Sequence, residues 1–311
     1  NVSIEKIMNS DPIVLPDDTP IQKIVTLTRN AVAGSKKLSS DHVKYIILVD
    51  KNRNFKKIYD YSKLISQDLS SKRSVAVLGM GYVGLTLAVT LANKGHIVSG
   101  IDTNNKVVKN LNLGKTNIYE PGLNSILNSN IKSNKIKFYN SLNSSLYDIY
   151  IIGVGTPILK NKPNLRFLKS AVISISKKIK KGDHVMLRST VPVGTSRNIV
   201  IGILEKHSNL IAGKDFFISF TPERTIEGNA LYELRNLPQI IGGYSPGCTK
   251  TSADFWSTIT SKIIKVDTLE AAELVKLANN TFRDLSFAFS NELALKCSKN
   301  DPLYVIAIGA I

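Results

Sequence analysis

Between residues 74 and 266 the chain alternates two hydrophobic patterns. Short strand-like runs occur at 75–78, 97–101, 135–139, 148–154, 184–187, 216–220, 239–243 and 262–266. Between them, at 83–93, 104–111, after 119–123, 165–179, 196–206 and 249–258, apolar residues recur every three or four positions. Runs of four to seven apolar residues suit strands buried on both faces, and the longer periodicity suits covering helices. Strand–helix alternation of this kind predicts an α/β fold with a doubly wound parallel sheet. One long helix is expected over 268–299, with Ala271, Leu274, Val275, Ala278, Phe282, Leu285 and Phe289 as its apolar stripe.

Residues 1–73 carry a different pattern. A short helix is expected at 4–8, an extended segment at 12–16 and a helix start at Asp17-Asp18-Thr19-Pro20, with Ile21, Ile24, Val25 and Leu27 on one face. Tyr45 to Val49 reads as a strand, Asp50 to Asn54 as a polar turn, and 55–59 as its hairpin partner. A helix over 61–69 and a linker over 70–73 close this small α+β segment. Three parts follow: 1–73, a sheet region over 74–267, and the long helix over 268–311.

The chemistry is densest between Ser74 and Asp102. The first strand runs directly into Gly79-Met80-Gly81-Tyr82-Val83-Gly84, a helix follows, and the next strand ends in Asp102, 23 residues after Gly79. In a Rossmann-type unit the first glycine permits the tight turn and the second lets backbone approach a pyrophosphate. The third lets the helix pack close on the strand. The helix start supplies free N–H groups and a positive dipole to phosphate. A carboxylate at Asp102 accepts hydrogen bonds from a ribose and repels a 2′-phosphate, so NAD is expected rather than NADP.

Three later strands end in small polar sequences: Gly155-Thr156-Pro157, residues 189–195 (STVPVGT) and residues 221–228 (TPERTIEG). Ligands in open α/β sheets bind beyond the carboxyl ends of the strands, so this clustering points to a polar substrate site. Taken singly, Thr156 and Thr190 also fit capping or turn roles. On the long helix, Glu273, Lys276 and Asn280 share a face, which taken alone reads as a solvated surface with an i,i+3 ion pair.

Composition modifies this picture little. The net charge of +17 divides into +5 over 1–73 and +12 beyond, with lysines scattered rather than striped among aromatics. Nucleic acid is therefore not expected as a partner, although a positive field favours anionic small molecules. No apolar run is long enough to cross a membrane and no export signal is present. Two cysteines, Cys248 and Cys297, form no disulfide framework and suit a reducing cytoplasm. Because the chain begins at Asn1 and ends inside an apolar run, it is expected to be a fragment.

Two resemblances add to this reading. Residues 3–69, with IMNSDPIVLPDDTPIQKIV and YIILVD, resemble one CBS motif, an adenosine-ligand sensing unit. Where that family often has a Thr and an Asp for ligand contact, this chain carries Asp60 and Lys63, which favours a structural or assembly role. From about 74 to about 297 the ordered motifs GMGYVGL, IYEPGL, GVGTP, STVPVG, PERTIEGNALYELRNLPQIIGG and EAAELVKLANNTFRDLSFAFSNELAL resemble the UDP-sugar 6-dehydrogenase family. The PER and ANNTFRD forms look more like its branch acting on UDP-N-acetylhexosamines such as UDP-N-acetylmannosamine.

That resemblance implies oxidation of a sugar C6 alcohol to a carboxylate with two NAD⁺, through an enzyme-bound thiohemiacetal and thioester, for surface polysaccharide synthesis. Carried onto this sequence, it implies catalytic roles for Thr156, Glu223, Glu227, Lys276 and Asn280. Glu223 would serve the hydrolytic water, and Lys276 with Asn280 the developing oxyanion. It implies cofactor contacts from Gly79, Gly81, Tyr82, Val83, Gly84, Asp102, Gly155, Thr156, Ser189 and Thr190, no metal, and a homodimer through the long helix. One departure stands out. The family's nucleophilic cysteine lies in a GGxCxxKD-like segment that this sequence lacks, and its UDP-binding domain is absent. Cys248 is expected on the surface and Cys297 as a buried apolar thiol, neither a nucleophile. The alternatives are a UDP-glucose 6-dehydrogenase, a β-hydroxyacid-type NAD dehydrogenase, and a non-catalytic nucleotide-binding module.

Overall fold

The computed structural model describes residues 12–19, 24, 27, 28, 43, 45–61 and 72–296. The expected helix at 4–8, most of those starting at 20 and 61, Lys63, Cys297 and residues 297–311 lie outside them.

In the N-terminal segment, β1 (Ile13–Pro16) pairs in parallel with β2 (Tyr45–Val49), which pairs antiparallel with β3 (Phe55–Asp60) across the Asp50–Asn54 turn. The Asp50 carboxylate accepts the Asn52 and Asn54 N–H groups, both at 2.9 Å, which closes that turn. Ile13, Ile24, Val43, Ile46, Leu48 and Tyr61 form a small core. Ile24 is buried as its periodicity requires, whereas Leu27 is exposed.

The larger part is an eight-stranded sheet with helices on both faces. In chain order it comprises β4 (Ser74–Leu78), α1 (Tyr82–Asn93), β5 (Ile97–Ile101), α2 (Asn105–Asn112), α3 (Leu123–Lys132), β6 (Ile136–Tyr139) and β7 (Ile149–Ile152). A hairpin, β8 (Ile158–Leu159) and β9 (Lys162–Pro163), leads to α4 (Arg166–Ser176) and β10 (His184–Leu187). A π-helical turn (Ser196–Ile201) runs into α5 (Gly202–Ser208), then β11 (Phe217–Phe220), α6 (Ala230–Asn236), β12 (Gln239–Gly243), α7 (Pro246–Trp256), β13 (Ile263–Val266) and α8 (Leu269–Lys296). The strand order is β13-β12-β11-β10-β7-β4-β5-β6, so the chain turns outward in both directions from β4. Alternate residues of β4 serve opposite cores. Val75 and Val77 pack with α1, α3 and α7, and Ala76 and Leu78 with α4 and α5.

The sheet departs from the expected all-parallel arrangement at one junction. β11 pairs antiparallel with β12, through Ser219 with Gly243 and Phe220 with Gly242, and β13 follows β12 in parallel. The seven residues of α6 are too short a crossover to return the chain to the foot of the sheet. Gln239 therefore starts β12 at the end where β10 finishes, within hydrogen-bond reach of Arg188.

The long helix also differs from its apolar pattern. Leu269 and Ala272 are buried, but Leu274, Phe282, Leu285 and Phe289 are mostly exposed in the single chain. A 28-residue helix is about 42 Å long, well beyond the span of a five-residue strand, so only its first turns meet the sheet. That meeting is close. A Cβ on Gly242 would stand 2.2 Å from the Thr268 carbonyl oxygen and 2.8 Å from Ala272 Cβ. Gly242→Ala is therefore expected to lower unfolding stability by about 1–3 kcal/mol, read as a shift in the urea midpoint at constant m-value.

Candidate functional site

The glycine turn is built as its sequence requires. Gly79 adopts φ +96°, and a Cβ on Gly84 would lie 1.7 Å from the Gly79 carbonyl oxygen, so α1 starts tight against the turn. Gly81 and Gly155, by contrast, have no atom within 4 Å of where a Cβ would be. Their backbone faces open space, a cavity of about 570 Å³. It is lined by Gly79, Gly81, Tyr82, Val83, Gly84, Asp102, Thr103, Asn140, Leu142 and Gly155, with Phe167, Ser170, Ala171 and Ser174 from α4 at another wall. No side chain caps α1 and no acid occupies its first turn, which leaves its N-terminal N–H groups for an anion. Asp102 is held beside the turn: its two carboxylate oxygens accept the Met80 and Asn104 N–H groups, each at 2.9 Å. Open glycine backbone, an uncapped helix and a fixed carboxylate at one cavity fit NAD.

The other motifs meet at the same edge of the sheet. Thr156 Oγ1 donates to the Thr190 carbonyl at 2.5 Å, and Ser189 Oγ to that of Val154 at 2.7 Å, joining the ends of β7 and β10. Arg188, immediately before them, is buried. It forms an ion pair with Glu223, donates to Gln239 Oε1 at 3.0 Å, and lays its guanidinium 4.6 Å from the centre of the Trp256 ring. The other Glu223 carboxylate oxygen accepts the Arg224 and Thr225 N–H groups at 2.7 and 2.6 Å. Burial pushes this carboxyl up, but the Arg188 charge and these hydrogen bonds outweigh it and hold it below its ordinary value. The Glu223 carbonyl receives the Lys276 ammonium. Burial pulls Lys276 down to about 8, the Glu223 charge opposes that, and the Arg188, Arg283 and Arg224 charges add to it.

Glu273 has no ion pair with Lys276. It is fully buried, and its carboxylate accepts the Gly194 and Ser196 N–H groups at 2.6 and 2.8 Å, fastening α8 to the loop after β10. Tyr82 spans two regions. Its hydroxyl donates to the buried Glu120 carboxylate and accepts the Gly228 N–H at 2.7 Å. Burial, then the Glu120 contact, pushes the Tyr82 phenol up to about 12. Glu120 also accepts the Leu231 N–H at 3.0 Å, at the start of α6.

The expected residues thus fall into groups. Gly79, Gly81, Tyr82, Val83, Gly84, Asp102 and Gly155 share the cavity, while Thr156, Ser189 and Thr190 form the adjoining hydrogen-bonded loops. Glu223 and Lys276 meet; Glu227 is exposed beyond them on the same loop, and Asn280 is half-buried one turn along α8. The expected placement of Cys248 on the surface is wrong: it is fully buried in the first turn of α7, 3.3 Å from Ser245 Oγ. That turn is pressed on β12, where a Gly243 Cβ would meet Thr249 N at 2.4 Å. Arg188, Gln239, Trp256 and Glu120 carried no sequence expectation, although Arg188 and Glu120 stand inside the motifs RSTVPVGT and YEPGL. Among the described residues no cluster of three or more His, Cys, Asp or Glu is placed to hold a metal, and no helix is long and apolar enough to cross a membrane.

Residues 73–260 match the NAD binding domain of the UDP-glucose/GDP-mannose dehydrogenase family. The chain is 34% identical over 235 residues to the UDP-N-acetyl-D-mannosamine dehydrogenase of Campylobacter jejuni, covering 73% of this chain and 57% of the relative. It superimposes on the UDP-D-ManNAc dehydrogenase of Pyrococcus horikoshii with a TM-score of 0.68 at 33% identity, over 71% of this chain and 53% of that one. With the GDP-mannose dehydrogenase of Pseudomonas aeruginosa the TM-score is 0.67 at 29% identity, over 71% and 52%. The chain therefore spans about half the length of these relatives.

Three outcomes are expected at this site. Gly81→Ala, free of internal clashes, weakens NAD binding about tenfold or more by calorimetry with an unchanged unfolding midpoint, because the new methyl faces the cofactor. Gly84→Ala shifts the unfolding midpoint itself. Since the folded Glu223 carboxyl lies below its ordinary 4.5, its stabilising effect is present at neutral pH and lost as pH falls through the folded value. Glu223→Gln should accordingly flatten the dependence of stability on pH below about 4.5, measured by urea melts across the acid range.

Proposed function

From its membership of the UDP-glucose/GDP-mannose dehydrogenase family, to which this chain belongs, we propose that it is the NAD-binding half of an enzyme oxidising the C6 alcohol of a UDP-N-acetylhexosamine of the UDP-N-acetylmannosamine type. Bound NAD⁺ supplies the hydride acceptor. Overall, one primary alcohol, one water and two NAD⁺ give one carboxylate, two NADH and three protons. The observation that carries this reading is the Lys276 ammonium resting on the Glu223 carbonyl, at the edge of the sheet where Gly155 opens to the dinucleotide cavity.

The residues divide the work as follows. The α1 N-terminus holds the pyrophosphate, and Asp102 the adenosine ribose. Lys276, a cation in a dry setting, stabilises oxygen charge that develops at the sugar carbon, and Asn280 shares it. Thr156 and Glu223 flank the reacting carbon. Glu223 is anchored by Arg188 on one carboxylate oxygen and two N–H groups on the other, which leaves acceptor capacity on the first for the hydrolytic water. Glu227, exposed on the same loop, is the freer carboxylate. Cys248, buried in α7, has no part in covalent chemistry. The enzyme works in the cytoplasm as a homodimer, with the exposed apolar positions of α8, Leu274, Phe282, Leu285 and Phe289, supporting a helix-to-helix interface. The N-terminal segment takes an assembly role.

In a chain extended to the length of its relatives, NADH should form with UDP-N-acetylmannosamine in preference to UDP-glucose, and Lys276→Ala should lower kcat by roughly 10²–10³. Absence of turnover with every UDP-sugar would overturn the reading.

A further inference from the structure

A polar cleft lies at the foot of the sheet, between Arg73, Asp148 and Asp254, and is confined to that end. The Tyr82 hydroxyl, by contrast, joins two sites. Tyr82 lines the dinucleotide cavity and opens α1, yet its hydroxyl is committed elsewhere. It donates to Glu120, receives the Gly228 N–H at 2.7 Å, and lies 3.5 Å from the Ile226 carbonyl oxygen. Gly228 holds φ +87°, a conformation that presents this N–H and that a residue with a side chain strains to adopt. Glu120 also takes the Leu231 N–H, so one buried carboxylate, directly and through the Tyr82 hydroxyl, secures the stretch that follows the exposed Glu227.

We propose that Tyr82 is a positioning residue, a latch that sets the order of the 224–229 loop according to whether the dinucleotide cavity is filled. A ligand packed along Tyr82 restrains its ring, and the restrained hydroxyl holds Gly228 and Glu120 together. The substrate-facing Glu227 is thereby ordered when NAD is bound and loosened when it leaves, which couples the binding of the two ligands. This rests on the proposed assignment of Glu227 to the sugar site.

The test uses the 311-residue chain. Arg224 stands at the base of the loop and Lys160 in the distant β8–β9 hairpin, so tryptic cleavage at each is followed with and without NAD, while calorimetry reads NAD affinity directly. Wild type should be protected by NAD at Arg224 and not at Lys160. Tyr82→Phe, which keeps the ring, should be cut at Arg224 on the order of tenfold faster. At NAD concentrations that calorimetry shows to saturate the variant, the NAD-dependent protection should be lost. Glu120→Gln, which keeps an acceptor for the phenol, should retain part of it. If Tyr82→Phe is cut faster at Lys160 as well, it is unfolding, and Glu120→Gln then carries the test by acceleration at Arg224 alone. Unchanged cleavage and protection in the variants, or no protection by bound NAD in wild type, would overturn the latch. Absence of NAD binding to wild type would instead overturn the cofactor reading.

Discussion

Close approach of the α1 backbone to the Gly79 carbonyl is the constraint on which the rest of this molecule depends. With a hydrogen in place of Cβ at Gly84, the helix begins against the turn, and its free N–H groups open on the cavity beside Asp102. The two flanking strands fix both ends of that geometry. β4 delivers the turn, and β5, hydrogen-bonded along its whole length, delivers the carboxylate to Met80 N. Larger side chains at the tight glycine would separate helix from strand, and phosphate binding would be lost with the packing.

On the other half of the sheet, the carboxyl-end loops are held by polar side chains taken out of water. Burying a carboxylate is costly unless donors surround it, and each buried one here has them. Glu223 has Arg188 and two N–H groups, Glu273 the N–H groups of Gly194 and Ser196, and Glu120 a phenol and the Leu231 N–H. These contacts join motifs scattered over more than 150 residues into one edge. The resulting site is rigid beneath, at Arg188 and Trp256, and exposed above, at Glu227. That division suits the proposed function, in which the surface would hold its cations in register yet admit a large anionic substrate.

Much of this was legible in the sequence because it depends on neighbours along the chain. The runs at 75–78 and 97–101, the glycine spacing between them and the acid at 102 define a βαβ unit whose parts interact locally, so pattern and structure agree there. The resemblance carried by the ordered motifs from GMGYVGL to EAAELVKLANN implied a shared site for Lys276 and Glu223, and the two are in contact. Thr156 and Thr190 could be read as caps or as site residues; tertiary pairing joins the two through the Thr156 hydroxyl and the Thr190 carbonyl.

What the tertiary structure alone decided concerns contacts between distant segments. Periodicity reports which residues are apolar, not the direction in which a short connection returns, so the reversal of β12 was hidden until α6 proved too short to cross. Hydrophobicity gave Cys248 and the α8 stripe no address: the first is buried because α7 presses on Gly243, and the second is left exposed because the helix outruns the sheet. A buried ion such as Arg188 looks identical to a surface one in a sequence, since its cost and its compensation by Glu223, Gln239 and Trp256 exist only once the chain has folded.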